Sequence, residues 1–172
     1  DRNCPIIVFS TGGKLIQYAE NNGLDQILLP EGYQPRAALG FSFTLLLLVL
    51  HRLDFIDKVI IDVVKKTIPS IRLLSADLCN SDNLALKIAE KIHSTCPIIY
   101  GSEDMTWIVA LRFRGQLAEN AKMLSFHHNL PEQNHNEIEG WTANADILRH
   151  FSIIWIEDID DHVGTKKRMH IS

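Results

Sequence analysis

The chain has 172 residues, 46% of them hydrophobic and 22% charged, with a net charge of −4. That length suits one domain or two small ones, the composition is that of an ordinary globular protein, and the acidic balance argues against a general nucleic-acid binder. Cys4, Cys79 and Cys96 are odd in number and form no Cys-x-x-Cys pair, which argues against a zinc site or a disulfide framework and predicts three buried thiols in a reducing cytosol.

Asp1-Arg-Asn-Cys-Pro leads straight into an apolar strand without a start methionine, and Lys166-Lys-Arg-Met-His-Ile-Ser172 stops inside a predicted helix. Both ends predict a piece of a longer polypeptide. Ile6-Ile-Val-Phe9 runs into the small-residue turn Ser10-Thr-Gly-Gly13, and Leu15, Ile16, Tyr18 and Ala19 follow at helical spacing. Strand, turn and helix make half of a βα unit. Gln26-Ile-Leu-Leu29 is a short second strand closed by Pro30, and the loop Glu31-Gly-Tyr-Gln-Pro-Arg36 precedes an apolar helix over 37–51. Its core, residues 41–50, is about ten residues against the roughly twenty a bilayer needs, so no membrane span is expected. A helix buried on most sides is expected instead. Phe55, Ile56, Val59, Ile60 and Val63 predict a connecting helix over 52–68, and 80–94 reads as an amphipathic helix capped by Ser81 or Asp82.

Cys96-Pro-Ile-Ile-Tyr-Gly-Ser102 repeats the opening Cys4-Pro-Ile-Ile-Val-Phe-Ser10, which predicts two similar halves. A helix over 104–122 follows, with Trp107, Ala110, Leu111, Leu117, Ala118 and Ala121 on one face and Arg114 beside them. An Arg there needs a carboxylate or a ligand. A strand at 123–127, a loop at 128–134, a helix start at 135–141 and the strand Phe151-Ser-Ile-Ile-Trp-Ile156 come next, then a helix beyond His162. Strands alternating with helices predict an α/β fold with parallel sheets, whose ligands bind where loops gather at the strands' carboxyl ends.

Several of those loops carry chemistry. At Ser10-Thr-Gly-Gly13, outward backbone N–H groups and hydroxyls suit a phosphate, as a mildly acidic chain can still hold an anionic metabolite locally. An ordinary capped turn has the same composition. Arg36 stands before a nearly uncharged helix, so its charge calls for an anion or carboxylate; the alternative is a solvent-facing helix start, which the helix dipole opposes. Glu137, between His135-Asn136 and the apolar Ile138 and Trp141, is placed to take and return a proton. The alternative is a first-turn Glu that favours the dipole. His162 follows the acidic run Glu157-Asp-Ile-Asp-Asp161 and suits an acid or base on a sugar oxygen, or a plain helix start. His51, His93, His127 and His128 lack metal-ligand spacing with nearby acids; the adjacent pair 127 and 128 would point to opposite strand faces, and both read as structural.

Four stretches, Ser10-Thr-Gly-Gly-Lys-Leu15, Gly32-Tyr-Gln-Pro-Arg-Ala-Ala-Leu-Gly40, Glu119-Asn-Ala-Lys122 and Leu130-Pro-Glu-Gln-Asn-His-Asn-Glu-Ile-Glu-Gly-Trp141, resemble the bacterial and archaeal bifunctional phosphoglucose/phosphomannose isomerases of the sugar isomerase (SIS) fold. Asp161-His162 with Arg168 looks like a fifth, and in this order the set covers most of the chain. The resemblance implies parts of two similar SIS subdomains with helix-flanked parallel sheets. Residues 1–95 would be the C-terminal part of the first plus connecting helices, and 96–172 the N-terminal part of the second. It implies a cytoplasmic homodimer with shared sites, no metal or other cofactor, and neither nucleic acid nor membrane as partner. The implied reaction interconverts glucose 6-phosphate or mannose 6-phosphate with fructose 6-phosphate. In it Glu137 would move the proton between C2 and C1 through an enediol, and Arg36 would stabilise enediolate charge. Ser10, Thr11 and Gly12 would contribute to the phosphate loop, and His162 would assist ring opening in the partner chain's site. Because 142–150 reads as an insertion, His150 and His135 are the other histidines for that step. A full-length member would begin earlier, with a Gly-rich strand-turn, and continue through a helix carrying a catalytic lysine. The competing classes are a non-catalytic SIS domain that senses a sugar phosphate and a chain serving only as a scaffold.

Overall fold

Short apolar runs ending in small residues become parallel strands in both parts of the chain. A computed structural model describes residues 4–172; the expectation for Asp1-Arg-Asn3 lies outside the described residues. Two compact units result, Asp1–Ser75 and Ala76–Ser172. Each contains a parallel sheet with helices packed against it, the α/β class that the alternation predicts.

In the first unit, β1 (Ile7–Ser10) pairs in parallel with β2 (Asp25–Leu28), with Ile7 opposite Asp25 and Ser10 opposite Leu28. Between them α1 (Gly13–Asn21) packs Ile16 and Ala19 on Val8, with Leu24 alongside. Gly12 and Gly13 have φ of 142° and 70°, which lets the strand turn directly into the helix where an L side chain would be strained. A 3₁₀ turn, Pro35–Ala37, leads to α2 (Leu39–Arg52), and α3 (Lys58–Leu78) continues well past the expected end, through Pro69. The apolar α2 is not the buried helix its sequence predicts: none of its residues is buried, and Phe43 and Leu46 are 51% and 47% exposed. Apolar composition asks for cover on every side, and the described residues supply it on few.

The second unit opens with α4 (Leu84–Ile92). Asn83 caps it, rather than Ser81 or Asp82, because Asn83 has the extended φ/ψ of −130°/161° and its Oδ1 accepts the Leu86 N–H at 2.8 Å. The order then runs β3 (Cys96–Ser102), α5 (Trp107–Gln116), β4 (Phe126–Leu130), α6 (Glu137–Gly140), α7 (Ala145–Leu148), β5 (Phe151–Ile156) and α8 (Val163–Ile171). The sheet order is β4-β3-β5, all parallel. Central β3 is buried along most of its length, as suits a strand covered on both faces, and α5 packs over β3 and β4. α4 groups with this sheet, since Ile92 is buried and the Thr95 and Ser152 hydroxyls share a 2.7 Å hydrogen bond. By compactness the division therefore falls within α3, whereas the sequence boundary at 95 and 96 marks the head of β3.

Three other expectations change. β4 starts three residues later than predicted. The last turn of α5 widens into a π turn, Leu117–Ala121, ended by the left-handed Lys122, and the chain needs 123–125 to regain the sheet. Of the apolar face expected over 104–122 only Ala110 is buried, and Trp107 is 42% exposed. Cys4 and Cys79 are exposed and Cys96 half-buried, so the three thiols are not core groups: Cys4 precedes β1 and Cys79 follows the end of α3.

At Gly101 β3 passes close against the backbone that enters α5. A Cβ there would lie 2.7 Å from the Thr106 carbonyl carbon and oxygen and 2.8 Å from the Trp107 nitrogen, all backbone. Thr106 cannot yield, because its Oγ1 accepts the Ser102 N–H and donates to the Ile156 carbonyl, each at 2.8 Å. Gly101→Ala is expected to destabilise the fold by about 1–3 kcal/mol, read from urea unfolding midpoints. An unchanged midpoint would show that β3 and the α5 entry can part.

Candidate functional site

The sheet register places three polar or aromatic side chains in one row. His128 on β4 is opposite Tyr100 on β3, and Tyr100 is opposite Trp155 on β5. Register partners in a pleated sheet project from the same face. The Tyr100 and Trp155 rings stack accordingly, with centroids 4.7 Å apart and planes at 27°. The adjacent row, His127, Ile99 and Ile154, belongs to the opposite face.

Glu137, the first residue of α6, joins two members of that row. Its Oε1 accepts the Tyr100 hydroxyl, and its Oε2 accepts from His128 Nδ1 at 2.5 Å. Trp141, four residues along, donates its indole N–H to the Tyr100 oxygen at 3.1 Å, as expected when i and i+4 share a helix face. Phe151 meets the Trp141 ring edge-on, with centroids 6.1 Å apart. Tyr100 is fully buried, whereas the Glu137 and His128 side chains are 30% and 31% exposed. The cluster is thus anchored in the sheet and open at the carboxylate.

Burial first, then the hydrogen bond to Glu137 and lastly that carboxylate's charge push the Tyr100 phenol far above the ordinary tyrosine range, the Trp141 N–H opposing them. Tyr100 therefore remains a donor at any working pH. On the opposite face, burial, with the Arg114 charge and His128 adding to it, lowers the pKa of His127. Arg114, expected to meet a carboxylate or a ligand, stands near that imidazole.

Both residues that sequence reasoning set aside or passed over, His128 and Tyr100, touch Glu137, and the expected flanking pair does not. Asn136 donates to Glu132 at 3.0 Å, and His135 is exposed. The pleat did separate His127 from His128, but only the pairing register shows which of them faces the carboxylate. His150 is exposed in the turn before β5. His162 caps α8, its Nδ1 accepting the Gly164 N–H at 3.1 Å. Asp161 beside it is buried, accepts the Ser102 hydroxyl and holds the Asp158 N–H at 2.7 Å.

The other predicted residues belong to the first unit. The Ser10 hydroxyl closes its own turn, donating to the Gly12 carbonyl at 3.0 Å and accepting the Gly12 N–H at 3.3 Å. Thr11 is exposed and lines a pocket of about 460 Å³ with Tyr33, Pro35 and Phe41, so the Ser10-Thr-Gly-Gly13 turn and the Pro35 loop border one cavity. Arg36 is half-buried in the adjoining 3₁₀ turn. Among the described residues no group of three or more His, Cys, Asp or Glu is arranged to hold a metal, and no helix is long and apolar enough to cross a membrane.

Residues 81–172, which contain the whole Glu137 cluster, match the family of the bacterial phospho-glucose isomerase C-terminal SIS domain. A bifunctional phosphoglucose/phosphomannose isomerase of Caldicellulosiruptor bescii is 37% identical, across 99% of this chain and 51% of that protein. Another, of Aquifex aeolicus, is 30% identical across 96% of this chain and 48% of that protein. A D-glucosamine-6-phosphate 4-epimerase of Sulfolobus acidocaldarius is 36% identical across 80% of this chain and 42% of that protein. The chain spans about half the length of the curated relatives it matches.

The raised Tyr100 pKa has a consequence for stability. The folded chain holds the phenolic proton more tightly than the unfolded chain, so this contribution is whole below the ordinary tyrosine value of about 10 and is lost as pH rises above it. The stability advantage of the wild type over Tyr100→Phe is expected to be constant up to about pH 9 and to shrink by about pH 11, in paired urea titrations. A constant advantage across that range would mean that the phenol ionises as freely folded as unfolded.

Proposed function

Because this chain belongs to the bacterial phosphoglucose isomerase C-terminal SIS domain family, we propose that it carries the base of an aldose–ketose isomerase acting on hexose 6-phosphates. The substrates are glucose 6-phosphate or mannose 6-phosphate on one side and fructose 6-phosphate on the other. Residues 1–95 and 96–172 are parts of two SIS subdomains of a longer, cytoplasmic, homodimeric enzyme. The exposed apolar residues of α2, Phe43 and Leu46 among them, support a protein partner for that helix.

One observation carries the chemistry. Glu137 is a part-exposed carboxylate that accepts a hydrogen bond on each oxygen, the bonding pattern of an ionised group. A proton on carbon next to a carbonyl is weakly acidic, and removing it takes a fixed base together with a cation or donor at the developing oxyanion. Glu137 takes the proton from C2 of the open aldose and returns it to C1 through an enediol. Arg36 supplies positive charge to the enediolate. Ser10, Thr11 and Gly12 bind the phosphate, whose remote binding energy helps to hold the reacting carbons in place. His162 assists ring opening; with Nδ1 occupied by the Gly164 N–H, its Nε2 is the nitrogen available to a sugar oxygen.

Glu137→Gln tests the base. Turnover of glucose 6-phosphate is expected to fall by about a hundredfold or more, while the rise in melting temperature caused by fructose 6-phosphate persists. Turnover at the wild-type level would remove Glu137 from the chemistry. A wild type that binds the sugar phosphate without turning it over would instead favour a sensing domain.

A further inference from the structure

We propose that Tyr100 and His128 are positioning residues for Glu137, each holding one carboxylate oxygen, and that Trp141 commits the Tyr100 proton to that task. This inference rests on Glu137 being the base. Hydrogen-bond bookkeeping gives the cluster a single direction. An indole N–H can only donate, so the Tyr100 oxygen accepts from Trp141 and its own O–H is left to donate to Glu137 Oε1. His128 Nδ1 approaches Oε2 at 2.5 Å, and two acceptors would repel there, so the ring carries a proton on Nδ1. Three donors thus point inward along a chain that ends on the carboxylate, and linked donors of this kind polarise one another.

Positioning matters for this reaction in particular. A Glu side chain has three rotatable bonds and loses entropy when fixed. A base that moves a proton between adjacent carbons must stay in place through removal and return, and an error of about 1 Å costs about a hundredfold in rate. Glu137 sits at the start of a four-residue helix, a short element to rely on alone. Tyr100 and His128 come from paired strands of the sheet, rigid supports whose relative place is set by register. Each oxygen also keeps a second lone-pair site, so the carboxylate can meet a substrate carbon acid without giving up either donor. Its 30% exposure leaves that side open.

The test uses the intact protein and compares Tyr100→Phe, His128→Ala and His128→Asn with the wild type and Glu137→Gln. Tyr100→Phe and His128→Ala are expected to lower kcat about 10- to 100-fold with KM changed less than about threefold, because substrate contacts remain while the base loses its aim. His128→Asn is expected to restore most of the loss, since its amide N–H stands close to where Nδ1 was. In a Glu137→Gln background, adding Tyr100→Phe should cost little more, as both act through one carboxylate. Loss of the folded core instead would lower the melting temperature and fail to be rescued by Asn. His128→Asn and Tyr100→Phe remain informative if His128→Ala unfolds. If Glu137→Gln collapses turnover while Tyr100→Phe and His128→Ala keep the wild-type kcat, the positioning roles are wrong and the base survives. If Glu137→Gln itself keeps the wild-type kcat, the base is misassigned and the positioning roles fall with it.

Discussion

The carboxylate of Glu137 shared between Tyr100 and His128 depends on one constraint, the pairing register of β4 and β3. Tyr100 meets His128 because Ile98 pairs with Phe126 two residues earlier. A slip of one residue would turn His127 toward Glu137 and bury His128 on the other face, since side chains alternate with a period of two. In the observed register His127 keeps to its own face, where burial first and then the Arg114 charge lower its pKa. Two adjacent histidines are thus given different surroundings by the pleat alone.

Register in turn needs the strand ends to be held. Ser102 at the end of β3 donates its hydroxyl to buried Asp161, and Asp161 also takes the Asp158 N–H that follows β5. Thr106 ties the start of α5 to both strands through Ser102 and Ile156. Asp161 thereby acts as a structural anion, with each of its oxygens assigned. Its neighbour His162 is exposed, so the two adjacent residues divide the work: buried Asp161 fastens the sheet and His162 caps α8. Hydrogen bonds to a charged group contribute about 1.5–3 kcal/mol each when buried, enough to make this junction stiffer than a simple loop.

Much of this was readable from sequence, and the failures share a cause. Apolar runs with small-residue ends predict β1, β2, β3 and β5, because local composition decides strand existence. Glu137 stood out because a carboxylate among His, Asn and Trp is rare on a plain surface helix. What sequence could not supply is any distance between strands. In sequence Tyr100 is only a member of the Cys96–Ser102 repeat and His128 half of a structural pair, since neither has a neighbour in sequence that needs it. The expected flanks, His135 and Asn136, lie in the turn that precedes α6, where Asn136 has a non-helical φ/ψ of −132°/−49° and donates to Glu132 instead. α2 failed for the complementary reason: hydrophobicity predicts that a surface wants cover, and says nothing about what covers it.

The spacing within α6 carries a further consequence. Glu137 and Trp141 are one helical turn apart, and both reach the same phenol, one as acceptor and one as donor. The indole bond alone would leave the Tyr100 proton free to turn toward some other acceptor. Together the two bonds use its proton and one of its lone pairs, while the Trp155 ring stacks on the phenol ring. A short segment that looks self-contained in sequence is therefore incomplete by itself. It acquires direction only when a buried strand offers one hydroxyl at the height where a single helical turn can grip it twice.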